Sequence, residues 1–355
     1  MIARRIAIAV VILGLIAVPY AITEAYYVNI ASQILLYAIF ALGLNILVGY
    51  AGLVSLGHAG LFGVASYVVA SLLVAGYGHT VAILGALVFG LLFTAGFAAL
   101  ALRATGISFI MITLALGEIL WGLAYRWISL TNGDNGVNVS TRPMPFGIAL
   151  TSANAFYDMT LIVFLLAVAA CAIFVRSPFG AALAGSRDQP RRMNALGFHV
   201  WMIRFGAFMF SGLLTAVAGI LFVYYNRFIS PQTLALPASA EALLMVISGG
   251  AGTLLGPVVG ATLVVIVKNV VSGVRLDGTG AAVFLVNQLF QHWNFLLGAI
   301  FVAIVVFMPE GLVPGMARLS RSAWRAMSRA KKAVPVTQPA APVTQPAAPA
   351  VERKP

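Results

Sequence analysis

Long apolar runs, separated by short polar or glycine-rich segments, dominate the chain up to about residue 308. Because a helix that crosses a membrane needs about 20 mainly apolar residues, each such run is a candidate span. The runs that reach or approach this length are 6–22, 30–48, 57–75, 81–102, 107–126, 159–175, 205–226, 238–250, 254–273 and 293–308. The run 238–250 is short, and residues 49–57 are either a simple loop or an unwound or re-entrant piece. The pattern predicts an all-α, polytopic transmembrane bundle of about 8–10 membrane segments.

The composition supports a membrane protein. Hydrophobic residues make up 61% of the chain and charged residues 8%, with a mean hydropathy of +1.01, whereas soluble domains carry roughly 45–50% apolar and about 25% charged residues. A soluble chain of 355 residues could not remove that much apolar surface from water, because its surface remains too large relative to its volume. The composition therefore excludes a soluble globular enzyme.

The basic residues predict the orientation of the bundle. With the N-terminus inside, most Lys and Arg residues fall in inside segments, where cytoplasmic loops collect them. The exceptions are Lys268, which lies in a span, and the outside residues Arg126, Arg142, Arg227 and Arg275. The bias predicts that both termini face the cytoplasm. It also explains the net charge of +12 without a nucleic-acid partner.

The two ends of the chain carry separate signals. Arg4 and Arg5 precede an apolar run, and small residues around Ala21 imitate a cleavage site, so the segment is either a removed signal peptide or a retained first helix. The many later spans favour the retained helix. Residues 317–355 begin with a basic stretch suited to anionic lipid and end in a repeated VTQPAAP, which has too little to bury. We expect a transmembrane domain over 1–316 and a disordered cytoplasmic tail over 317–355.

The sequence offers no catalytic or cofactor site. The stretch GGAGTLLG lacks the lysine of a phosphate-binding loop. Its spacing instead predicts that Gly252, Gly256 and Gly260 share one helix face for close packing. Cys171 has no partner for a disulfide or a cysteine metal site, and no nucleophile converges with a base or a metal cluster. We therefore expect no enzyme activity, no metal and no cofactor.

Three charged residues fall inside predicted spans, where each costs about 2.5–3.5 kcal/mol on insertion scales. Glu118 shares a helical face with Trp121 and Tyr125, so it either lines a path through the membrane or pairs with a basic group. Glu241 lies in the first turn of a helix, where the dipole favours a carboxylate. Lys268 lies close enough to the outer end of its span to extend to the interface. We expect structural roles for Glu241 and Lys268.

The stretch GYAGLVSLGHAGLFG, residues 49–63, concentrates glycines and one histidine in the membrane region. A helix through it would place Ser55 and His58 on one polar seam. An isolated histidine in a membrane more often hydrogen-bonds a neighbouring helix than binds a substrate, and His58 allows both interpretations. The glycines permit an interruption of the helix.

The loop 176–204 predicts a short helix on the inside of the membrane. Either Asp188 or Gln189 can cap a helix whose first turn holds Pro190. Gly197 can end this helix after about two turns. The loop either docks a partner through a small apolar edge or lies against lipid headgroups as a positively charged inside loop.

Several motifs together resemble one known family. The sequence LNILVGYAGLVSLGHAGLFGVASYV resembles the signature of the M-type permease subunit of branched-chain amino acid ABC importers, in which a Gly-Tyr-x-Gly-x-x-Ser-Leu-Gly-His pattern is characteristic. The resemblance continues in the expected order through TLALGEILWGLAYRW, TNGDNG, RSPFGAALAGSRDQPRRMNALGFHVWMIRFGAFMFSGLLTAVAGILF, ISPQTL, EALLMVISGGAGTLLGPVVGA and MPEGLVPG. It spans roughly residues 30–316.

The resemblance implies a transport subunit of the bacterial inner membrane that imports leucine, isoleucine and valine. Its implied partners are a homologous H-type permease subunit, two cytoplasmic ATPase subunits, a periplasmic substrate-binding protein and membrane lipid. In such permeases a cytoplasmic coupling helix transmits closure of the ATPases to the spans. The residues onto which this role carries over are Arg187, Asp188, Arg191, Arg192, Ala195, Leu196 and Gly197.

A midplane site for a zwitterionic amino acid needs hydrogen-bond donors for the carboxylate, and an interrupted helix supplies free N–H groups. The residues expected along the substrate pathway are Asn45, Ser55, Gly57, His58, Glu118 and Tyr125. The alternative within the same importer class is that the substrate is urea, a short amide or an aromatic acid. A secondary transporter in which Glu118 or His58 carries a coupling proton is the alternative from another class, and a membrane-embedded enzyme ranks last.

Overall fold

The computed structural model describes residues 24–140, 152–273 and 293–316, together with 13–17, 19, 20 and 318. The described residues up to 315 form one compact unit, and of residues 316–355 only 316 and 318 are described. The helices are α1 (Ala25–Asn45), α2 (His58–Val74), α3 (His79–Ala101), α4 (Ile107–Arg126), α5 (Ile128–Thr131), α6 (Ala153–Arg176), α7 (Pro178–Asp188), α8 (Pro190–Ala195), α9 (Val200–Asn226), α10 (Leu236–Gly249), α11 (Gly256–Gly273) and α12 (Trp293–Phe307). The predicted first helix lies mostly, and the predicted tail almost wholly, outside the described residues.

Five of the described helices are long and apolar enough to cross a membrane. They are α1 with its extension to Ala51, α3, α4, α6 and α9. The helices α2, α10 and α11 are apolar but shorter. The prediction of a polytopic, all-helical membrane protein is confirmed.

The bundle has a buried centre and a lipid-facing periphery. The helices α1 and α9 are largely buried, whereas most of the surface of α3, α4 and α6 is open. A helix that is apolar all round is stable in either place, since its side chains can contact protein or lipid. The side chains of Leu36 and Leu42 on α1 and Phe208 on α9 lie in the core, and Cys171 of α6 is also buried there.

The helix α1 does not pass smoothly into α2. After Asn45 the chain widens into a π-helical turn over Ile46–Ala51 and reverses at Gly52, whose φ of 67° is left-handed. No regular structure follows until α2 begins at His58. Residues 46–57 therefore interrupt the regular helix between α1 and α2, and we call them the unwound segment.

Two loops on one side of the bundle are joined by a short antiparallel ladder. Strand β1 (Val137–Asn138), after α5, pairs with β2 (Phe228–Ile229), after α9. The amide of Val139 extends the ladder by donating to the carbonyl of Arg227 at 2.9 Å. The pairing places both loops on the same side, as the predicted orientation requires.

Two short helices lie between α6 and α9. Helix α7 starts with a cap in which Ser177 Oγ accepts from the amide of Gly180 at 3.2 Å. Asp188 is the last residue of α7, so it does not cap α8. Gln189 occupies the N-cap position of α8 without a side-chain bond, and Gly197 follows with φ 87°. The sequence predicted α8 but missed α7.

The three glycines predicted to share one helix face do not do so. Because α11 begins at Gly256, Gly252 lies before the helix, in the turn that follows α10. Gly256 and Gly260 lie against the main chain of α10, where a methyl group at either position would clash with the carbonyl oxygens of Gly250 and Met245, respectively. The regular spacing of the three glycines therefore does not reflect one packing face: Gly252 belongs to the turn, and Gly256 and Gly260 belong to the contact between α11 and the end of α10.

Candidate translocation and coupling site

Asn45 joins the unwound segment to the turn between α10 and α11. Its Nδ2 donates to the carbonyl of Thr253 at 2.9 Å, and its Oδ1 accepts from the amide of Gly252 at 2.9 Å. Gly49, one turn later, lies directly on Gly252, and a methyl group at Gly49 would clash with the Gly252 amide. The side chain of Asn45 thus replaces main-chain partners that a turn inside a membrane would otherwise lack.

Arg187 links α7 to the same segment. From the last turn of α7, its guanidinium donates to the carbonyl of Gly49. Its aliphatic stem covers Gly52, where an added methyl group would lie 2.8 Å from Arg187 Cγ. The contact of Arg187 with Asp188, at 3.3 Å, is exposed and contributes little. The interruption of α1 is therefore in direct contact with the predicted coupling region.

Helix α7 is also fixed to α9, because Arg204 donates to the carbonyl of Ser186 at 2.8 Å. Helix α8, in contrast, has no buried residue. Met193 turns back against Gly185, while Leu196 is 66% exposed. Of the residues predicted for coupling, those that lie open on or just after α8 are Arg191, Arg192, Ala195, Leu196 and Gly197.

His58 is completely buried and both of its ring nitrogens have partners. Nδ1 lies 2.9 Å from Ser55 Oγ, and Nε2 lies 2.9 Å from Ser211 Oγ. Ser211 donates its own proton to the carbonyl of Gly43 at 2.6 Å, so it accepts from Nε2–H, and Nδ1 then accepts from Ser55. One neutral tautomer satisfies the whole chain of bonds, which joins α2 to α9 and α1.

Gly57 brings the unwound segment against α4. A methyl group at Gly57 would clash with the carbonyl of Thr113, and one at Gly117 would lie 2.9 Å from Gly57 Cα. The amide of Leu56 donates to Thr113 Oγ1 at 3.2 Å. The two backbones therefore touch, as small residues permit in membrane bundles.

Glu118 and Tyr125 lie apart from these buried residues, on α4. Tyr125 is 45% exposed and stacks on Trp121 with ring centroids 5.5 Å apart. Glu118 is half-buried, and within the described part of the chain no basic side chain forms an ion pair with it. The residues predicted for the substrate pathway therefore form two groups, one inside the bundle and one on its open face.

Glu241 and Lys268 form an ion pair that the sequence did not predict. Lys268 Nζ on α11 lies 3.2 Å from Glu241 Oε1 and 3.4 Å from Oε2 on α10. Lys268 therefore turns towards a neighbouring helix instead of only extending to the interface. The two residues lie 27 positions apart, so no local pattern links them. Among the residues that the structure describes, no group of three or more His, Cys, Asp or Glu side chains lies close enough together to hold a metal ion.

Comparison with known proteins places this architecture in a family. Residues 26–305 match the family model described as branched-chain amino acid transport system / permease component. The chain is 28% identical over 325 residues to the high-affinity branched-chain amino acid transport system permease protein LivM of Escherichia coli, covering 84% of this chain and 72% of that protein. The corresponding protein of Salmonella typhimurium is 27% identical over the same shares.

A second group of relatives carries a different name. The autoinducer 2 import system permease protein LsrC of Yersinia enterocolitica is 30% identical over 152 residues, which cover 41% of this chain and 39% of that protein. No solved structure matches the chain significantly. The match to the family model covers most of the chain and includes the unwound segment and the inside helices. The chain is therefore a multi-pass membrane permease, a transport component rather than an enzyme, and belongs to the branched-chain amino acid transport system permease family.

Proposed function

We propose that this chain is the membrane-spanning subunit of an ATP-driven importer of the bacterial inner membrane, which translocates leucine, isoleucine and valine delivered by a periplasmic binding protein. It works with a homologous H-type permease and two cytoplasmic ATPase subunits. The names of the LivM relatives support the substrate class. The LsrC relatives show that the wider group includes other cargo, so the substrate is the first thing to test.

The contact between Arg187 and Gly49 is the observation that carries the proposal. Arg187 lies at the end of α7, next to the open helix α8, and its partner carbonyl lies in the unwound segment. A displacement of α7 and α8 by a closing ATPase would reach Gly49 without an intervening residue. From there Asn45 and Gly252 carry the displacement to α10 and α11.

The open face of α4 fits the proposed pairing with an H-type permease. Glu118 is an ionisable residue at membrane depth, and such residues usually face a bundle interior, a water-filled cavity or a partner. Since this face is not covered by the described chain, we assign Glu118 and Tyr125 to the surface turned towards the H-type permease and the cargo path. Asn45, Ser55, Gly57 and His58 then hold the unwound segment that borders this path.

Uptake by the complete importer tests the proposal. The chain is assembled with its permease, ATPase and binding-protein partners in lipid vesicles, and ATP-dependent uptake of leucine, urea and an aromatic acid is compared. We expect leucine uptake that requires both ATP and the binding protein. Uptake of urea or of the aromatic acid without uptake of leucine would show that leucine is not the substrate.

The same assay separates the proton-coupled alternative. Disabling the ATPase subunits should abolish uptake in an ATP-driven importer, whereas an imposed proton gradient should not restore it. Uptake that follows the proton gradient in the absence of the ATPases, and that is lost in Glu118→Gln, would instead identify a secondary transporter.

A further inference from the structure

The motif MPEGLVPG, residues 308–315, lies beside the turn between α10 and α11. The chain leaves α12 and turns at Gly311, whose amide donates to the carbonyl of Met308 at 2.8 Å. Gly311 is buried, and its φ of 89° is left-handed, a conformation that favours glycine. The segment takes part in neither the Arg187 contact nor the bonds of His58, so its place against the turn needs its own explanation.

Two residues of this segment lie directly on Gly250, the first residue of the turn. A methyl group at Gly311 would clash with the Cα and the amide nitrogen of Gly250, so the two main chains touch. A methyl group at Gly250 would lie 2.6 Å from Pro314 Cδ, so the proline ring covers the same residue. We call these two contacts of Gly250 the support contact. Since the unwound segment touches the same turn at Gly252, through Gly49, the turn is held at two points.

Thr253 makes the turn stiff between these two points. Its Oγ1 donates to the carbonyl of Gly250 at 2.8 Å and accepts from the amide of Gly256 at 2.9 Å. Its own carbonyl accepts from Asn45 Nδ2, so the turn is bonded both to itself and to α1. Close-packed interiors compress little and pass displacements on. A displacement that reaches Gly252 is therefore passed on to Gly250.

We propose that Gly311 and Pro314 are positioning residues for coupling, because they hold the turn against the unwound segment. A displacement of Gly49 then moves α10 and α11 together with the end of α12, instead of only pushing the turn away. Neither Gly250 nor Gly311 has a side chain that could rotate to relieve the contact, so the support contact yields little. This inference rests on the proposed function, because it assigns the two residues a role in ATP-driven coupling.

Pro314→Ala tests the support contact in the assembled importer in vesicles. It removes the ring from Gly250 without forcing a new group against it, so the protein should fold. We expect the amount of leucine moved per ATP hydrolysed to fall by about threefold, because the loosened turn absorbs part of each displacement. A proline with only a structural role would lower the amount of folded protein, and with it uptake and ATP hydrolysis in proportion, and leave the ratio unchanged. The matched control is Pro237→Ala, an exposed proline at the opposite end of α10, which should keep the wild-type ratio.

Combination with Arg187→Ala shows whether the two contacts lie on one route. Arg187→Ala alone should lower the ratio by about fivefold or more. If the displacement passes from Arg187 through Gly49 to the supported turn, the double variant Arg187→Ala/Pro314→Ala should be no worse than Arg187→Ala alone. Two independent effects would multiply to about fifteenfold or more, and that result would overturn the inference.

The outcomes keep this inference apart from the proposed function. Uptake by the wild type that needs no ATPase subunits would overturn both together. Uptake of urea in place of leucine would overturn the substrate assignment alone, and the ratio is then measured with urea. A wild-type ratio in Pro314→Ala, in an importer that does require ATP, would overturn the support contact alone.

Discussion

Arg187 donates a hydrogen bond to the main-chain carbonyl of Gly49, 138 positions earlier in the sequence. The bond joins α7, which lies outside the predicted spans, to the π-helical turn in which α1 loses its regular form. A main-chain acceptor is well suited to this role because no side-chain rotation can move it away. The guanidinium is equally well suited, since it stays charged and offers several donors.

Removal of the guanidinium should uncouple ATP hydrolysis from transport. Arg187→Ala leaves the Gly49 carbonyl without this donor, and Arg187→Lys keeps the charge but not the planar fork. We expect the amount of leucine moved per ATP hydrolysed to fall by about fivefold or more in Arg187→Ala, and by less in Arg187→Lys. Arg103→Ala, an exposed inside residue at the end of α3, is the control. An unchanged ratio in Arg187→Ala would remove this bond from the coupling route.

The exposed arginines of α8 should act on the ATPases instead. Arg191→Glu/Arg192→Glu reverses two charges on a helix that buries none of its own residues, so the fold should be unaffected. We expect the stability of the permease to stay within about 0.5 kcal/mol of the wild type, while the ATPase subunits bind more weakly in co-purification and uptake falls. Normal co-purification and uptake would point to the lipid surface as the contact of α8.

Asn45 should contribute to stability through both ends of its amide. In Asn45→Ala the Gly252 amide and the Thr253 carbonyl lose their side-chain partners, which costs about 1–3 kcal/mol for buried groups. Thermal unfolding of the purified protein measures this loss. Asn226→Ala, at the exposed end of α9, removes an amide of the same size and should have little effect. Equal melting temperatures for both variants would contradict the role of Asn45.

Gly57, at the end of the unwound segment, and Gly96, on α3, offer a matched test of backbone contact. Gly57→Ala forces a methyl group into the carbonyl of Thr113, and overpacking of this kind costs about 1–3 kcal/mol. Gly96→Ala on α3 meets no atom within 4 Å and should be neutral or slightly stabilising. Comparison of the two melting temperatures checks the prediction. A tolerated Gly57→Ala would mean that the segment can move away from α4.

Replacement of His58 distinguishes a packing role from a cargo contact. Because both ring nitrogens are bonded to serines, His58→Ala should destabilise the protein by about 2–4 kcal/mol through lost volume and lost hydrogen bonds. We expect the KM for leucine to stay near the wild-type value while the amount of folded protein falls. A raised KM in a normally folded His58→Ala protein would show instead that the ring reaches the cargo.

The sequence was informative where one property of a segment decides its structure. The apolar runs predicted the helices, and the glycines of residues 49–63 indicated where a helix could be interrupted, because both signals are local. The ion pair of Glu241 and Lys268 and the bond from His58 to Ser211 join residues far apart in sequence, and no spacing rule reaches that far. Helix α7 was missed because its glycines and alanines read as a loop between two longer apolar runs.

The burial of Cys171 has a practical consequence for following the cargo route. It is the chain's single cysteine, and its thiol lies in the core of α6, away from reagents dissolved in water. A cysteine introduced in place of the exposed Tyr125 would therefore be the position that a water-soluble thiol reagent labels, and Cys171 would not have to be replaced first. Labelling rates with and without ATP would then record when the surface around residue 125 becomes accessible to water during the transport cycle.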